Sequence, residues 1–294
     1  MTRWLAHGVG SGMVEEGGRP IARIASLTVF PIKGCAGMAV DRREVTTTGL
    51  AGDRQFMVIG PDGRFKTQRR RPLLATVRPH LDGDRLTLAA DGREQCSVDI
   101  VRDGPRRQVE IFGKDHPALD QGEDAADWLS DVLGVESRLV GVTPEHHRPT
   151  DGLVPGLSGW ADSGSLLLLS RAAADDLSDR AAERTGEPLP LERFRANVVL
   201  TDCAAHAEDS LDRVLLGSTH LAFSKQAVRC AVVTVDQGTG ERAGPEPLET
   251  LATYRLTDKG VVFGAKYTVL APGEVAVGDE LREAPVTSRE AADP

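Results

Sequence analysis

Short apolar runs that alternate with polar residues dominate the first half of the chain. They have the length and alternation of half-buried strands and lie at residues 25–32, 43–48, 55–59, 73–77, 85–89 and 98–101. Turn-forming triplets such as Pro61-Asp62-Gly63 and Asp82-Gly83-Asp84 separate them. This pattern predicts a β-rich lobe.

Two stretches depart from the strand pattern and predict helices. The first has acidic residues at its start, Glu123 and Asp124, and a glycine at its end, Gly134. Ser170 is a good N-cap for the second helix, which is expected to end near Gly186. Strand-like runs occupy most of the second half, at residues 166–169, 197–201, 219–224, 231–235, 252–256 and 261–269.

The order of these elements predicts two β-rich domains in an α+β chain. We expect a flexible leader at residues 1–20, a first domain at 21–141, a linker at 142–156, a second domain at 157–283 and a disordered tail at 284–294. The linker prediction rests on three prolines and a pair of adjacent histidines in that stretch.

Composition narrows the classes of partner. The formal net charge of −9 over 294 residues argues against a general nucleic-acid binder or a binder of acidic membranes. The longest purely apolar run has only four residues, 166–169, so no membrane span is expected. Four scattered cysteines without a secretory signal favour a reducing compartment, and we predict a cytoplasmic location.

The most informative chemistry is the pair Arg229-Cys230, which precedes the apolar run 231–235 and a glycine-rich turn. We expect the run to be a buried strand with Cys230 at its mouth. A neighbouring positive charge favours the thiolate, the form that attacks electrophiles and binds soft metals. Because cysteine is also among the most buried residue types, simple packing stays an alternative interpretation.

Three further basic sites would suit an anionic ligand. Lys33-Gly34 follows a predicted strand, where an ammonium and free backbone N–H groups can meet an anion. Arg54 and the stretch that holds Arg195 and Asn197 stand at strand entrances, where a planar guanidinium can hold two oxygens. Taken singly, each is typical of an ordinary turn or surface charge. Together with Cys230 they suggest one pocket with positive charge and a soft sulfur ligand.

The order of motifs along the chain resembles the MOSC family, the type found at the C-terminus of molybdenum-cofactor sulfurases, preceded by its N-terminal β-barrel partner. Within that family the chain is similar to the amidoxime-reducing members, mitochondrial and bacterial. The matching motifs are collinear from residue 24 to 281 and lie at 30–35, 52–56, 67–74, 161–163, 193–197, 207–212, 229–240, 247–255, 263–264 and 277–279.

The resemblance implies a β-barrel-like N-terminal lobe, followed by a MOSC β-barrel with peripheral helices. It also implies a molybdenum cofactor (molybdenum bound to molybdopterin) that reduces N-hydroxylated small molecules, with Cys230 as the protein's ligand to the metal. Asp162 would steer protons or orient substrate. The residues implied to bind or approach the pterin and its phosphate are Lys33, Gly34, Arg54, Ser163, Arg195, Asn197 and Arg229.

Some features depart from the amidoxime reducers and leave alternatives open. Gly34 stands where those proteins usually carry serine, and Gly164-Ser165 replaces a Ser-Pro pair. A membrane anchor and an iron–sulfur extension are not expected, so a separate redox partner is implied, either a ferredoxin or flavoprotein or a cytochrome b5-like protein. The alternatives are sulfur transfer through a persulfide on Cys230, without the large pyridoxal-phosphate portion of the sulfurases, and a non-catalytic carrier of the cofactor.

Overall fold

The computed structural model describes residues 18–284, which fold into a strand-rich α+β protein, as the pattern predicts. The strands are β1 (Pro20–Val29), β2 (Ile32–Lys33), β3 (Met38–Val40), β4 (Arg42–Thr46), β5 (Gly49–Leu50), β6 (Phe56–Ile59), β7 (Arg78–Asp82), β8 (Arg85–Ala89), β9 (Cys96–Asp99), β10 (Arg106–Ile111), β11 (Lys114–Asp120), β12 (Arg138–Gly141), β13 (Leu166–Ser170), β14 (Val198–Thr201), β15 (Arg213–Leu216), β16 (Thr219–Val228), β17 (Leu256–Thr257), β18 (Gly260–Ala271), β19 (Gly273–Ala276) and β20 (Glu280–Glu283).

Three α-helices accompany the strands: α1 (Glu123–Leu133), α2 (Arg171–Thr185) and α3 (Leu248–Ala252). The first two begin and end where the sequence predicts, and both stop at a glycine in the left-handed conformation, Gly134 or Gly186. None of the helices within residues 18–284 has the length and apolar composition needed to cross a membrane.

One part of the fold is a closed seven-stranded barrel. Its strands follow the order β13-β14-β1-β20-β15-β16-β18, and pairing of β18 with β13 closes the ring. All neighbours are antiparallel except β13 and β14. Alternate side chains of each strand point inwards and fill the interior, including Leu27, Leu168, Leu200, Leu221 and Tyr267. Closure leaves these seven strands without the unpaired edges of an open sheet.

The barrel takes one of its strands from the region predicted as the first domain. Leu27 of β1 pairs with Val198 of β14, and Ala22 pairs with Leu281 of β20. The apolar pattern identifies β1 as a strand but carries no information about these distant partners. The division into domains at 21–141 and 157–283 therefore stays a prediction. Strand β1 belongs to the first range but is part of the barrel formed by the second.

The N-terminal region builds a second apolar core beside the barrel. A five-stranded sheet, β10-β11-β12-β6-β2, and a three-stranded sheet, β7-β8-β9, enclose it together with α1. Phe56, Leu86, Leu129 and Leu139 are almost fully buried in this core. Strand β2 pairs with β6 and ends at Lys33. This sheet therefore places Lys33 on the side that faces the barrel.

Three predicted strands are wrong. Residues 72–76 and 231–234 form short 3-10 helices, and the predicted strand at 252–256 is instead the end of α3 followed by a turn. A short apolar run has no periodicity that separates a buried strand from a buried helical turn. Cys230 thus follows β16 and precedes a 3-10 turn, and does not begin a strand.

The predicted linker, residues 142–156, is packed against both halves of the protein. Pro149 and Leu157 form a bridge, and the N–H of Leu153 donates to the carbonyl oxygen of Ser224 at 2.8 Å. Most of the predicted leader and tail lies outside the described residues. The leader's last residues are in the structure, where the N–H of Gly18 donates to the carbonyl oxygen of Glu283 and Pro20 begins β1.

Gly49, at the start of β5, should be sensitive to substitution. Its φ of +118° disfavours any side chain, and a Cβ there would overlap the carbonyl oxygen of Ser165. We expect Gly49→Ala to lower the free energy of unfolding by about 2–4 kcal/mol, measured by chemical denaturation. Gly83→Ala is the control, because Gly83 has a φ of +55° and open space around it. It should cost only about 1 kcal/mol, and equal losses would contradict the overlap.

Candidate functional site

One cavity, here called the inner cavity, lies between the barrel and the N-terminal region. All nine residues singled out from the sequence line it: Lys33, Gly34, Arg54, Asp162, Ser163, Arg195, Asn197, Arg229 and Cys230. They come from the end of β2, from the turn before β6 and from the loops next to β13, β14 and β16. Residues more than 190 positions apart in the chain, such as Lys33 and Cys230, therefore line one cavity.

Arg54 is fixed by a buried carboxylate. Its Nη1 donates to Oδ2 of Asp53 at 2.6 Å and to Oδ1 of Asn197 at 3.0 Å, and its Nη2 donates to the carbonyl oxygen of Arg195 at 3.2 Å. The other oxygen of Asp53 accepts from the N–H of Phe30 at 2.8 Å. Asp53 thus links the backbone at Phe30 to the guanidinium of Arg54.

Asn197, directly before β14, positions this network from the barrel side. Its Nδ2 donates to Asp53 Oδ1 at 3.0 Å and to the carbonyl oxygen of Thr28 at 3.1 Å. Its Oδ1 accepts from Arg54 and from the N–H of Leu167. Since the side chain is 2% exposed and both ends of its amide are bonded within the protein, we expect Asn197 to orient Arg54 and not to bind a ligand directly.

Arg195 and Arg54 lie together against one aromatic ring. The guanidinium carbon of each is 4.3 Å from the centroid of Phe30. Both residues have a left-handed backbone, with φ of +44° for Arg54 and +54° for Arg195, a strained conformation that is common at binding sites. Burial, together with the charge of Arg54, lowers the pKa of Arg195 to about 9. Two close cations on one wall favour an anion between them.

Arg229 has unused hydrogen-bonding capacity. Its Nε donates to the carbonyl oxygen of Phe263 at 2.7 Å and its Nη1 to that of Phe194 at 3.1 Å. The Nη2 atom is buried and has no partner in the part of the chain that the structure describes. Burial lowers the pKa of Arg229 to about 10, although the nearby Cys230 opposes the shift. An unsatisfied buried donor of this kind is costly unless a ligand accepts from it.

Lys33 is buried and already paired. Its ammonium donates to the carbonyl oxygen of Trp160 at 2.9 Å and forms an ion pair with Asp162. Burial raises the pKa of Asp162, but the charge and hydrogen bond of Lys33, together with the charges of Lys266 and Arg69, outweigh it and hold that pKa well below the usual range. Asp162 therefore stays ionised near neutral pH and cannot donate a proton there. As a carboxylate it can still orient a substrate by accepting hydrogen bonds.

Cys230 stands at the boundary between the inner cavity and a wider depression, here called the outer groove. The walls of the outer groove include Phe112, Leu153, Lys225, Val228, Lys259 and Lys266. Cys230, Asp162 and Ser163 line both spaces. The thiol is partly exposed and not sealed among apolar side chains. A group in the inner cavity and a molecule in the outer groove could therefore meet at this sulfur.

The charge of the inner cavity is strongly unbalanced. Seven cationic side chains line it: Lys33, Arg54, Arg69, Arg193, Arg195, Arg229 and Lys266. Within residues 18–284, Lys33 pairs with Asp162, Arg54 with Asp53 and Arg193 with Asp236, which leaves the other four without a carboxylate within 4.0 Å. The whole protein carries a net charge of −9. This local reversal of sign marks a space built for an anion, as several oriented donors and cations hold phosphate groups elsewhere.

Comparison with known proteins agrees with the motif order. A MOSC N-terminal beta barrel domain matches residues 21–136, and a MOSC domain matches residues 159–282. Mitochondrial amidoxime-reducing component 1 of Mus musculus is 34% identical over 281 residues, which cover 88% of this chain and 81% of the mouse protein. Component 2 of Bos taurus is 31% identical over 280 residues, covering 88% and 82%. This chain belongs to the MOSC-domain family of amidoxime-reducing components.

A solved structure gives a weaker comparison for this member of the amidoxime-reducing family. The YUAD protein from Bacillus subtilis matches 88% of this chain and 93% of its own length, with 11% sequence identity and a TM-score of 0.37. At that score the likeness adds nothing to the family assignment.

Sequence reasoning about this amidoxime-reducing family member missed two parts of the site. Gln68 and Gln237 form a reciprocal amide pair, with both N–O distances at 3.1 Å, and Gln68 also donates to the carbonyl oxygen of Gly34 at 2.7 Å. Lys266 donates to Ser163 Oγ at 2.5 Å. Gln68 and Gln237 fall inside quoted motifs, where they could have been noticed, but Lys266 is a single lysine in a long strand and carries no such signal.

Proposed function

We propose that this protein is a reductase of N-hydroxylated compounds that uses a molybdenum–pterin cofactor in the inner cavity, with Cys230 as the protein ligand to the metal. The observation that carries the proposal is the position of the Cys230 thiol, between a cation-lined cavity and an open groove. A thiolate is a soft ligand suited to such a metal, and the names of the relatives describe proteins that reduce amidoximes.

The residues present fit an anionic cofactor. The unpartnered Nη2 of Arg229 would donate to an oxygen of the pterin or its phosphate, and the guanidinium of Arg195 would neutralise that phosphate. Gly34 and Ser163 would border the group, while Asp53 and Asn197 would keep Arg54 directed at it. When bound, the cofactor would supply the two-electron reduction of the N–O bond.

The chain's own residues would handle binding and access. An N-hydroxylated molecule in the outer groove would approach Cys230 beside Asp162, which remains a carboxylate and would accept hydrogen bonds from the substrate's N–H or O–H. The overall reaction consumes two electrons and two protons, and converts the N–OH group to N–H with release of water. The electrons would come from a separate redox protein, of the ferredoxin, flavoprotein or cytochrome b5-like class.

Metal analysis of freshly purified protein, coupled to a viologen-driven assay, tests this proposal. We expect one molybdenum per chain and reduction of benzamidoxime among a panel of hydroxylamines, amidoximes and N-oxides. Protein without molybdenum, but with the extra mass of a sulfur atom on Cys230, would support sulfur transfer instead. Molybdenum without turnover of any compound would support a carrier. These measurements do not test the predicted cytoplasmic location. The relatives' names describe mitochondrial proteins.

A further inference from the structure

The outer groove contains more positive charge than its own carboxylates neutralise. Asp151 is paired with Lys225, and Asp162 is paired with Lys33. Within residues 18–284, three other cations of the groove have no carboxylate within 4.0 Å: Arg69, Lys259 and Lys266. One acid of the groove, Asp258, is likewise without a cationic partner there. The balance is a net excess of positive charge around an opening of an otherwise acidic protein.

Lys266 lines both the inner cavity and the outer groove, as Cys230 does. On the barrel wall it lies opposite Lys225, in the pairing of β16 with β18. Burial lowers the pKa of Lys266 to about 8; Asp162 opposes the shift, whereas Arg229, Lys225 and Lys33 add to it. An anion beside Lys266 would relieve this repulsion between cations.

Part of the groove lining is apolar. Phe112, at the tip of the β10–β11 hairpin, is 47% exposed and has a φ of +52°, which is strained for an aromatic residue. Its ring packs edge-to-face on Phe65, with centroids 5.0 Å apart. Val228 and Leu153 line the same groove and are 47% and 80% exposed. The groove thus offers both cations and exposed apolar surface.

We propose that the outer groove selects N-hydroxylated substrates that carry a carboxylate on an apolar or aryl body. The ammonium group of Lys266 binds the carboxylate, Lys259 adds positive charge to the groove, Phe112 packs against the body, and the N–OH group is directed to Cys230. This inference rests on the proposed reductase function, from which it is distinguishable because it concerns a preference between substrates. The excess charge of the groove is what makes an anionic substrate fit better than a neutral one.

Two matched probes test the preference: benzamidoxime and 4-carboxybenzamidoxime. With the purified holoenzyme and a viologen donor, we expect the carboxylated probe to have a KM about tenfold lower, the size of effect typical of one good charge-assisted hydrogen bond. Lys266→Gln keeps a hydrogen-bonding side chain but removes the charge, and should bring the two KM values close together. Arg171→Gln removes an exposed cation outside both spaces and should leave the ratio as it is.

Binding of the amidine products supplies a measurement that does not depend on turnover. Isothermal titration calorimetry of the holoenzyme should show tighter binding of 4-carboxybenzamidine than of benzamidine, and added salt should weaken the difference. Lys259→Gln, an exposed substitution that should leave folding intact, should reduce the same preference. Equal affinities in the unaltered protein, or a preference that survives both substitutions, would overturn the inference. Failure to reduce either amidoxime would instead count against the proposed reductase function.

Discussion

Replacing Cys230 with alanine is expected to give a folded protein that retains no molybdenum and has no measurable reductase activity. The thiol is partly exposed at the wall of the inner cavity, so its removal leaves little buried apolar volume unfilled. No other cysteine lines either the inner cavity or the outer groove within the described residues. Because the proposed metal would lose its single protein ligand, both metal content and turnover should fall to background.

Cys203→Ala provides the matched control for this experiment. Cys203 is also partly buried, but it packs against the barrel core and lies outside both the cavity and the groove. The control variant should keep its molybdenum and its activity, measured by elemental analysis and the viologen assay on the same preparations. A Cys230→Ala protein that still holds stoichiometric molybdenum and reduces benzamidoxime would refute the ligand assignment.

The sequence predicted the type of most secondary structure but not the long-range pairing that closes the barrel. An alternating run identifies β1 as a strand and an apolar run identifies β14, while glycines mark the ends of α1 and α2. The pairing of Leu27 with Val198 depends on the whole fold and has no local signature. The strand predicted after Cys230 was wrong because a short run such as Ala-Val-Val-Thr suits a buried turn as well as a strand.

At the site, too, the residue types could be predicted from the sequence, but their contacts with distant residues could not. Arginines and a lysine next to strand ends could be selected from the sequence because their residue types suit an anion, and the structure brings all of them to one cavity. Their protein partners could not be predicted. The ion pair between Lys33 and Asp162 joins residues 129 positions apart, and it changes what both side chains can do chemically. Burial and charge compensation are properties of the fold, so roles inferred from residue type alone need revision once partners are known.

Asp53→Ala is expected to be among the most destabilising substitutions at the site, with a loss of about 3–5 kcal/mol in the free energy of unfolding. Asp53 is 5% exposed and accepts hydrogen bonds from Phe30, Arg54 and Asn197. Its removal would leave the guanidinium of Arg54 without a carboxylate in a buried position. Urea denaturation measures the loss, and molybdenum content should fall with it because Arg54 would no longer be held. Asp91→Ala, which breaks an exposed ion pair with Arg78, should cost less than about 1 kcal/mol.

Asp53→Asn separates the charge of this carboxylate from its shape. An asparagine can still accept, through its carbonyl oxygen, the hydrogen bonds that Oδ1 of Asp53 receives from Phe30 and Asn197. Its NH2 group would then face Nη1 of Arg54, so that a donor opposes a donor where Oδ2 now lies 2.6 Å away. We therefore expect the asparagine variant to lose nearly as much stability as the alanine variant. A neutral outcome would mean that hydrogen bonding to the backbone, and not compensation of the Arg54 charge, holds this side of the cavity together.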